Sequence, residues 1–242
     1  MNFHAQQKLG RLPSLKDPRN LDLSNYLTPP PAANPPSLDW SKVITDWPAA
    51  GNDRWGDCVF ATASHLIHLW SENTGDPRII PDSEVVRTYL DYSPRDTGYN
   101  ILDRLKLWTN RGLWSTKLWC FTEVDLHNRE LVRSAIHLFG GIDVGVNLPI
   151  AWQGSELWTT GKGYRFQPGS WGGHSVPIVA YSPDYLLAVT WGDTVRLTWS
   201  ALETYCDEAY ALIDPLWLRP SGETPSGFDL VALRTDLHAA TR

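Results

Sequence analysis

The spacing of the apolar residues changes once along the chain, near residue 140. Before that point, apolar residues recur every three or four positions, which is typical of amphipathic helices. Beyond it, Ile142, Val144, Val146 and Leu148 alternate with smaller or polar residues, which is typical of a strand. A helical half followed by a β half predicts an α+β fold of two lobes, with a functional site between them.

The pattern places each predicted element. Predicted helices run from Val59 to just before Gly75, from 81–83 through Leu90, from Ile101 to before Gly112, and from about Asn128 to Phe139. Predicted strands cover 142–148, 174–181, 185–191, a candidate at 195–197, and 209–213, with a short helix near 199–205.

Residues 1–50 are rich in proline and polar residues, which predicts an extended arm rather than a domain. We expect the arm to pack on the body rather than to form a disordered tail, because it carries apolar anchors at Leu12, Leu21, Leu23 and Tyr26. Residues 51–220 then form the folded domain, with a helical lobe at 51–140 and a β lobe at 141–220. Residues 221–242 are expected to be a loose polar tail.

Composition limits the classes of partner. The 27 acidic and 21 basic residues give a net charge of −6, so the chain lacks the basic character expected of a nucleic-acid-binding protein. Three cysteines, an odd number, argue against a disulfide framework and favour a reducing compartment. The N-terminus lacks a signal-peptide pattern, and no apolar run approaches the length of a membrane span. We therefore expect neither a nucleic-acid nor a membrane partner; the oligomeric state is left open.

Cys58 is the strongest candidate for chemistry. It ends a polar loop that begins at Asn52, and it stands where the first helix is predicted to begin. A cysteine in the first turn of a helix lies at the positive end of the backbone dipole, which favours the nucleophilic thiolate. The alternative is a small buried apolar residue, which most free cysteines are. Cys120 and Cys206 fit that alternative better, because neither follows a glycine turn at a helix start.

His174 is the candidate base for such a cysteine, because the pKa of imidazole lies near working pH. It begins a strand directly after Gly172 and Gly173, where glycines allow a close approach of another backbone or a substrate. The alternative is a hydrogen-bonded structural histidine. His65 and His68 lie too far along the first helix to reach Cys58, and as a possible metal-binding pair they lack further ligands.

With Cys58 and His174 placed, the sequence resembles the papain-like cysteine peptidases over most of its length. Four segments carry the resemblance, in the family's order and spacing: Pro36-Ser37-Leu38-Asp39-Trp40, the loop from Asn52 to Cys58, Gly172-Gly173-His174-Ser175-Val176 and Thr190-Trp191-Gly192. In addition, the segments 10–13 and 17–19 resemble the leader of compact bacterial members. It implies a papain-like two-lobed fold, with the cysteine on the helical lobe and the histidine on an antiparallel β lobe.

The resemblance also implies the roles of the site residues. Cys58 is the nucleophile and His174 its general base, as a thiolate–imidazolium pair. Asn52 stands where the family has its oxyanion glutamine, and Trp191 shields the histidine from water. The implied activity is that of a cysteine peptidase, a hydrolase that transfers the acyl group of a peptide or isopeptide bond to Cys58, with a peptide or protein as substrate. It needs no cofactor and no metal. The implied location is the cytoplasm or a phage, since compact members occur in bacteria and phages.

Three departures from the family pattern keep alternatives open. The family's histidine-orienting asparagine falls at Val189, so that function is absent or displaced to Thr190, Asp193 or a backbone carbonyl. A disulfide cysteine of the catalytic loop falls at Trp55, and no long inhibitory pro-region precedes the loop. The alternatives are a catalytically weak or inactive papain-like protein that acts as a binding or structural module, or an amidase or acyltransferase on the same scaffold.

Overall fold

The computed structural model describes residues 7–27 and 34–231. Its helices are α1 (Cys58–Thr74), α2 (Asp82–Tyr92), α3 (Ile101–Asn110), α4 (Arg129–Phe139) and α5 (Trp199–Tyr205). Its strands are β1 (Leu21–Asp22), β2 (Leu38–Asp39), β3 (Cys120–Glu123), β4 (Ile142–Leu148), β5 (Leu157–Trp158), β6 (Gly172–Tyr181), β7 (Tyr185–Thr190), β8 (Asp193–Thr198) and β9 (Cys206–Ile213). The predicted α+β fold is confirmed, with the four long helices before residue 140 and most of the sheet after it.

The strands form one mixed sheet in the order β1-β3-β9-β4-β6-β7-β8-β5, and β2 also pairs with β6. The β1–β3 and β5–β8 pairs are parallel, and the other pairs are antiparallel. At its centre, β4 lies between β6 and β9. Its alternating apolar residues Ile142, Val144, Val146 and Leu148 are all fully buried, because both neighbouring strands and the helices cover them.

Helix α1 passes through the centre of the molecule, and 15 of its 17 residues are buried. It ends where Gly75 adopts a left-handed conformation (φ 87°) and donates its N–H to the last turn. Its first two turns lie against β6, where the hydroxyl of Ser175 donates a hydrogen bond to Thr62 Oγ1 at 3.1 Å. This contact places the start of α1 beside the start of β6.

Helices α3 and α4 begin at side-chain caps that fix their first turns. Asn100 accepts a hydrogen bond from the N–H of Leu102, and Asn128 accepts one from the N–H of Leu131. Helix α4 ends at Gly140, again with a left-handed residue. The sequence predicted these boundaries well, because caps and glycines mark them directly.

The structure contains strands that the sequence analysis did not predict. β3 includes Cys120, which was expected in the core but is only half-buried and pairs with Ile213 of β9. β5 is two residues long and pairs with β8 in parallel. Both elements are too short to show an alternating pattern, and their partners lie far away in sequence.

The chain before residue 50 lies on the body where it is described. Leu21 and Asp22 pair with β3, and Leu38 and Asp39 pair with β6. Leu23 is fully buried, whereas Leu12 is 42% exposed, so its prediction as an anchor is wrong. The run of three prolines at 29–31 lies outside the described residues.

The predicted loose tail is wrong for its described part, residues 221–231. Leu230 is 1% exposed, and the ring of Phe228 packs edge-on against Phe139 at 5.8 Å. These two apolar side chains hold the segment on the body. Residues 232–242, the rest of the tail, lie outside the described residues. Within residues 7–27 and 34–231, no helix combines the length and the apolar character needed to cross a membrane.

Candidate active site

Cys58 is the first residue of α1, as the sequence predicted. Its side chain is 1% exposed, and the backbone N–H groups of Gly10 and Ser175 donate towards the sulfur. Burial raises the pKa of the Cys58 thiol to about 12, although these N–H donors and the charge of Arg11 act in the opposite direction. The expected partial exposure and lowered pKa are therefore wrong for this conformation, in which desolvation outweighs the helix dipole.

His174 lies on β6 and is fully buried. Its Nε2 is hydrogen-bonded to Thr190 Oγ1 at 2.7 Å, whereas its Nδ1 has no hydrogen-bond partner among the described residues. Burial lowers the pKa of His174 to about 3, and the positive charge of Arg11 acts in the same direction. The imidazole is therefore neutral in this conformation, with one nitrogen anchored and the other free.

The backbone of β6 reaches Cys58 at the residue after His174. Ser175, which follows His174, directs its N–H at the Cys58 sulfur. Since Nδ1 of His174 has no partner, the structure contains no sulfur–imidazole hydrogen bond between the two side chains. The expected thiolate–imidazolium pair is thus not formed here, because burial favours the neutral form of each group.

Trp191 covers the imidazole, where sequence reasoning placed a shielding residue. The two rings stack with centroids 4.4 Å apart and an interplanar angle of 12°. Trp191 and Gly192 are the central residues of the two-residue turn that joins β7 to β8, and both have positive φ, 50° and 79°. A tight hairpin requires this geometry, which is costly for a tryptophan. A strained residue of this kind is typical of functional sites.

The structure distinguishes Thr190 from Asp193, the two side chains proposed to replace the family's asparagine at position 189. Val189 is 1% exposed and packs with Trp47, Leu69 and Val179, away from the imidazole. Thr190, the next residue on the strand, contacts His174 because successive side chains point to opposite faces. Asp193 instead accepts a hydrogen bond from the N–H of Thr194 at 2.7 Å. Of the named alternatives, Thr190 is the hydrogen-bond partner of the histidine and Asp193 is not.

Asn52 is buried and directs its side-chain amide at two carbonyl groups. Its Nδ2 donates to the carbonyl oxygen of Trp55 at 3.0 Å and to that of Lys8 at 3.5 Å. The indole Nε1 of Trp191 donates to the same Lys8 oxygen at 3.3 Å. Two side-chain donors therefore converge on one backbone carbonyl oxygen. The oxygen that they bind here is supplied by the chain's own arm.

The arm itself crosses the site, which sequence reasoning did not predict. The N–H of Arg11 donates to the carbonyl of Gly173 at 3.2 Å, beside His174. On the other side, the carbonyl of Gly10 accepts from the N–H of Tyr99 at 2.8 Å, and Leu12 donates back to Tyr99 at 3.0 Å. The segment Lys8–Leu12 is thus held by backbone hydrogen bonds to both lobes, and it covers Cys58.

Gly10 permits this close fit. A Cβ at position 10 would clash with the backbone carbonyl of Gly56, and a Cβ at Gly173 would clash with the carbonyl oxygen of Arg11. Glycine lets two backbones approach at such points. The resemblance of residues 10–13 and 17–19 to a leader segment did not indicate where the arm lies, and a single glycine is too common to predict it.

Asp57 is a further unusual group that the sequence analysis missed. It directly precedes Cys58 and is fully buried. Burial raises the pKa of Asp57 to about 8, and the nearby carboxylates of Asp96 and Asp82 add to the shift. A carboxyl group in this position is protonated over much of the physiological pH range. The residues that flank Asp57 in the sequence give no indication that its side chain is buried.

The described part of the chain offers no metal centre. No group of three or more His, Cys, Asp and Glu side chains within residues 7–27 and 34–231 is arranged to hold a metal ion. His65 Nε2 is hydrogen-bonded to the carbonyl of Pro48 at 2.8 Å, and His68 lies 3.5 Å from Glu72. The two histidines of α1 therefore have separate protein partners.

No family model and no curated protein matches the sequence. Solved structures do match its fold. Xylellain, a cysteine protease from Xylella fastidiosa, superposes with a TM-score of 0.67 at 12% identity, over 86% of this chain and 96% of that one. The proform of the ragweed pollen cysteine protease Amb a 11 gives a TM-score of 0.61 at 16% identity, over 92% and 73% of the two chains. A procathepsin B from Trypanosoma congolense gives 0.57 at 10% identity, over 88% of each chain.

The chain therefore has a papain-like fold, and the fold expected from the sequence resemblance is confirmed. Identities of 10–16% establish the fold alone, so the chemistry has to be derived from the site.

Proposed function

We propose that the protein is a cysteine hydrolase that cleaves peptide or isopeptide bonds, with Cys58 as nucleophile and His174 as general base. The observation that supports the proposal most directly is the hydrogen bonding of the two nitrogens of the His174 imidazole. Thr190 holds Nε2, Nδ1 is left without a partner, and the residue after the histidine, Ser175, donates its N–H to the sulfur of Cys58. A general base needs one nitrogen fixed and the other free to take a proton.

The reaction begins once the arm has left the site. Nδ1 of His174 takes the proton of the Cys58 thiol, and the resulting thiolate attacks the carbonyl carbon of the substrate. The negative charge that develops on the carbonyl oxygen is stabilised by the amide of Asn52, which now binds the carbonyl of Lys8. The imidazolium returns its proton to the leaving amine, and a thioester with Cys58 remains. Water then attacks the thioester, releasing the carboxylic acid and the free thiol.

The described conformation is the closed state of this site. Gly10 and Arg11 lie on Cys58 and beside His174, so a substrate carbonyl cannot reach the sulfur while the arm is in place. Closure also explains the neutral pair, because the arm removes both groups from water. Opening exposes them to solvent, which lowers the cost of forming the ions.

A second function, binding without turnover, is favoured by one observation. The arm is held by hydrogen bonds to both lobes, and Lys8 occupies both side-chain donors that would bind a substrate oxygen. A protein in which the arm never leaves would be an inactive papain-like module. An amidase or acyltransferase would share the chemistry at Cys58 and differ only in the acyl donor or acceptor.

Mapping of thiol alkylation tests the proposal. Chloroacetamide is applied near neutral pH to the wild type and to Gly10→Ala, whose added methyl group displaces the arm. We expect Gly10→Ala to be alkylated at Cys58 much faster than at Cys120 or Cys206, and His174→Ala in that background to slow the reaction. Equal rates at all three cysteines in the folded variant would contradict the proposal. Cys120 and Cys206 are internal controls, because burial raises the pKa of each thiol.

A further inference from the structure

The side chain of Arg11 enters a pocket beside the site and is 1% exposed. Its Nη1 lies 2.5 Å from Glu208 Oε1 and 2.9 Å from Asp207 Oδ1, and its Nη2 donates to Asn147 Oδ1 at 2.9 Å. Three acceptors thus surround one guanidinium. The planar fork of an arginine satisfies such a set, whereas the point charge of a lysine does not.

The walls of the pocket are shaped for this group. A Cβ at Gly145, in the middle of β4, would meet Nη1 of Arg11 and the side chain of Glu208, so the glycine leaves room for the guanidinium. The hydroxyl of Tyr210 donates to Glu208 Oε2 at 3.1 Å and fixes that carboxylate. The side chain of Glu208 is itself only 2% exposed.

The charge balance of the pocket requires a cation. The other buried cation nearby, Arg104, is ion-paired with Asp143; its charge also acts on Glu208, but it makes no hydrogen bond to that carboxylate. When the arm leaves, these two carboxylates lose Arg11, and Glu208 remains in a site whose burial raises its pKa. An unpaired buried carboxylate is costly, so the empty pocket favours the return of a cationic side chain.

Along the arm, the residue that fills the pocket directly follows the residue that lies on Cys58. Gly10 directs its N–H at the Cys58 sulfur, and Arg11 donates its N–H to Gly173, the neighbour of His174. A peptide that follows the same path places a side chain in the pocket while its backbone crosses the cysteine. The pocket is therefore positioned to bind one side chain of a peptide substrate and so to select among substrates.

We propose that Glu208, Asp207 and Asn147 form a side-chain subsite that selects an arginine in the substrate, and that Arg11 is its internal occupant. The inference rests on the proposed hydrolase function. It assigns Glu208 as the specificity-determining residue and predicts arginine-containing peptides as the substrate class.

Binding to the open pocket tests the subsite without any turnover. The variant Gly10→Ala/Arg11→Ala displaces the arm and empties the pocket. We expect N-acetyl-arginine amide to raise its unfolding temperature and to bind roughly tenfold or more tightly than the neutral isostere N-acetyl-citrulline amide, as charge-assisted hydrogen bonds require. Glu208→Gln in the same background should remove the difference. Glu203→Gln is the charge-matched control, because Glu203 pairs with Arg129 outside the pocket.

Equal binding of the two amides, or a preference that survives Glu208→Gln, would show that Arg11 forms only a structural ion pair and would overturn the inference. If the double variant does not fold, the single variant Arg11→Ala is used with methylguanidinium and the neutral methylurea, which carry no peptide backbone and can fill the pocket while the arm stays in place.

Cleavage selectivity separates this inference from the proposed function. Gly10→Ala is given matched fluorogenic peptides that carry arginine, lysine, citrulline or leucine at each position before the scissile bond. Preference for arginine at one position, lost in Gly10→Ala/Glu208→Gln, supports the subsite. Cleavage through Cys58 with no such preference would overturn the subsite and leave the hydrolase proposal standing. Absence of cleavage would count against the hydrolase, and the binding comparison would then decide the pocket by itself.

Discussion

The hydroxyl of Thr190 is hydrogen-bonded to Nε2 of His174 at 2.7 Å, and both groups are buried. Val189, at the position where the family resemblance places an asparagine, points to the other face of the strand and packs among apolar side chains. The side-chain hydrogen bond to the histidine is therefore made one residue further along the chain. The indole of Trp191 covers the same imidazole, so two consecutive residues of one hairpin, Thr190 and Trp191, contact it.

Thr190→Val should lower the turnover of the opened enzyme with little effect on substrate binding. The valine keeps the shape of threonine but removes the bond to His174. Loss of one hydrogen bond, about 1–1.5 kcal/mol, corresponds to roughly a tenfold fall in kcat. Thr190→Ser, which keeps the hydroxyl, should retain most of the activity. Steady-state kinetics in the Gly10→Ala background measure both, and equal kcat values for the valine and serine variants would exclude an orienting role for Thr190.

Val189→Asn should destabilise the protein and should not raise its activity. The new amide would be buried beside Trp47, Leu69 and Val179 with no visible partner in that apolar cluster, which costs about 1–3 kcal/mol. Urea denaturation gives the change in the free energy of unfolding. Val189→Ala is the control for lost volume without added polarity. A rise in kcat with unchanged stability would mean that position 189 faces the histidine after all.

Arg11→Ala should destabilise the closed state by about 1–3 kcal/mol, because it removes charge-assisted hydrogen bonds to a buried carboxylate. Arg19→Ala is the matched control on the same arm. Arg19 pairs with Asp17 at 2.7 Å, but its side chain is 84% exposed, so its loss should have no measurable effect. Thermal or urea unfolding distinguishes the two. Similar small effects for both variants would show that Arg11 does not anchor the arm.

Asp57 should make the protein less stable as the pH rises from about 4 to 8. Burial raises the pKa of this carboxyl to about 8 in the folded state, against about 4 when unfolded. Between these values the unfolded chain has released the proton that the folded protein keeps, so the free energy of unfolding falls with pH, by up to about 1.4 kcal/mol per unit, and levels off above 8.

Asp57→Asn removes that titration. The variant should therefore gain stability relative to the wild type as the pH rises, and the gap should reach its maximum near pH 8. Denaturation of both proteins at pH 5, 6, 7 and 8 measures the gap. Other titrating groups, such as His174, cancel in the difference because both proteins contain them. A gap that is constant with pH would show that Asp57 is ionised in the folded state.

The sequence predicted the fold well where the signal is local. Helix α1 shows its boundaries through the polar loop before Cys58 and the glycine after Thr74, and β4 shows its alternation over seven residues. Cys58 at a helix start and His174 on a strand followed from the same patterns. These features depend on neighbours in sequence, which one chain read by itself contains.

The ionisation of the site could not be predicted in the same way. The helix dipole at Cys58 is a local feature, but the burial that opposes it is a property of the whole fold, and the N–H of Gly10 and the charge of Arg11 act on the thiol from almost fifty residues earlier. The partners of Arg11 lie nearly two hundred residues further on, at Asp207 and Glu208. Contacts between residues so far apart along the chain leave no periodic pattern in the sequence, so the sequence does not predict them. Thr190 was one of several open alternatives, because the choice between adjacent residues depends on the face that a strand turns to its neighbour.

Turnover by an opened enzyme tests the central claim most directly. Hydrolysis of a fluorogenic peptide library is compared among the wild type, Gly10→Ala and Gly10→Ala/Cys58→Ser, each with its folded state checked by circular dichroism. We predict that Gly10→Ala cleaves at least about tenfold faster than the wild type, since the arm no longer covers the thiol, and that the serine variant loses this activity. Cleavage that survives Cys58→Ser, or a folded Gly10→Ala protein that cleaves nothing, would contradict the account.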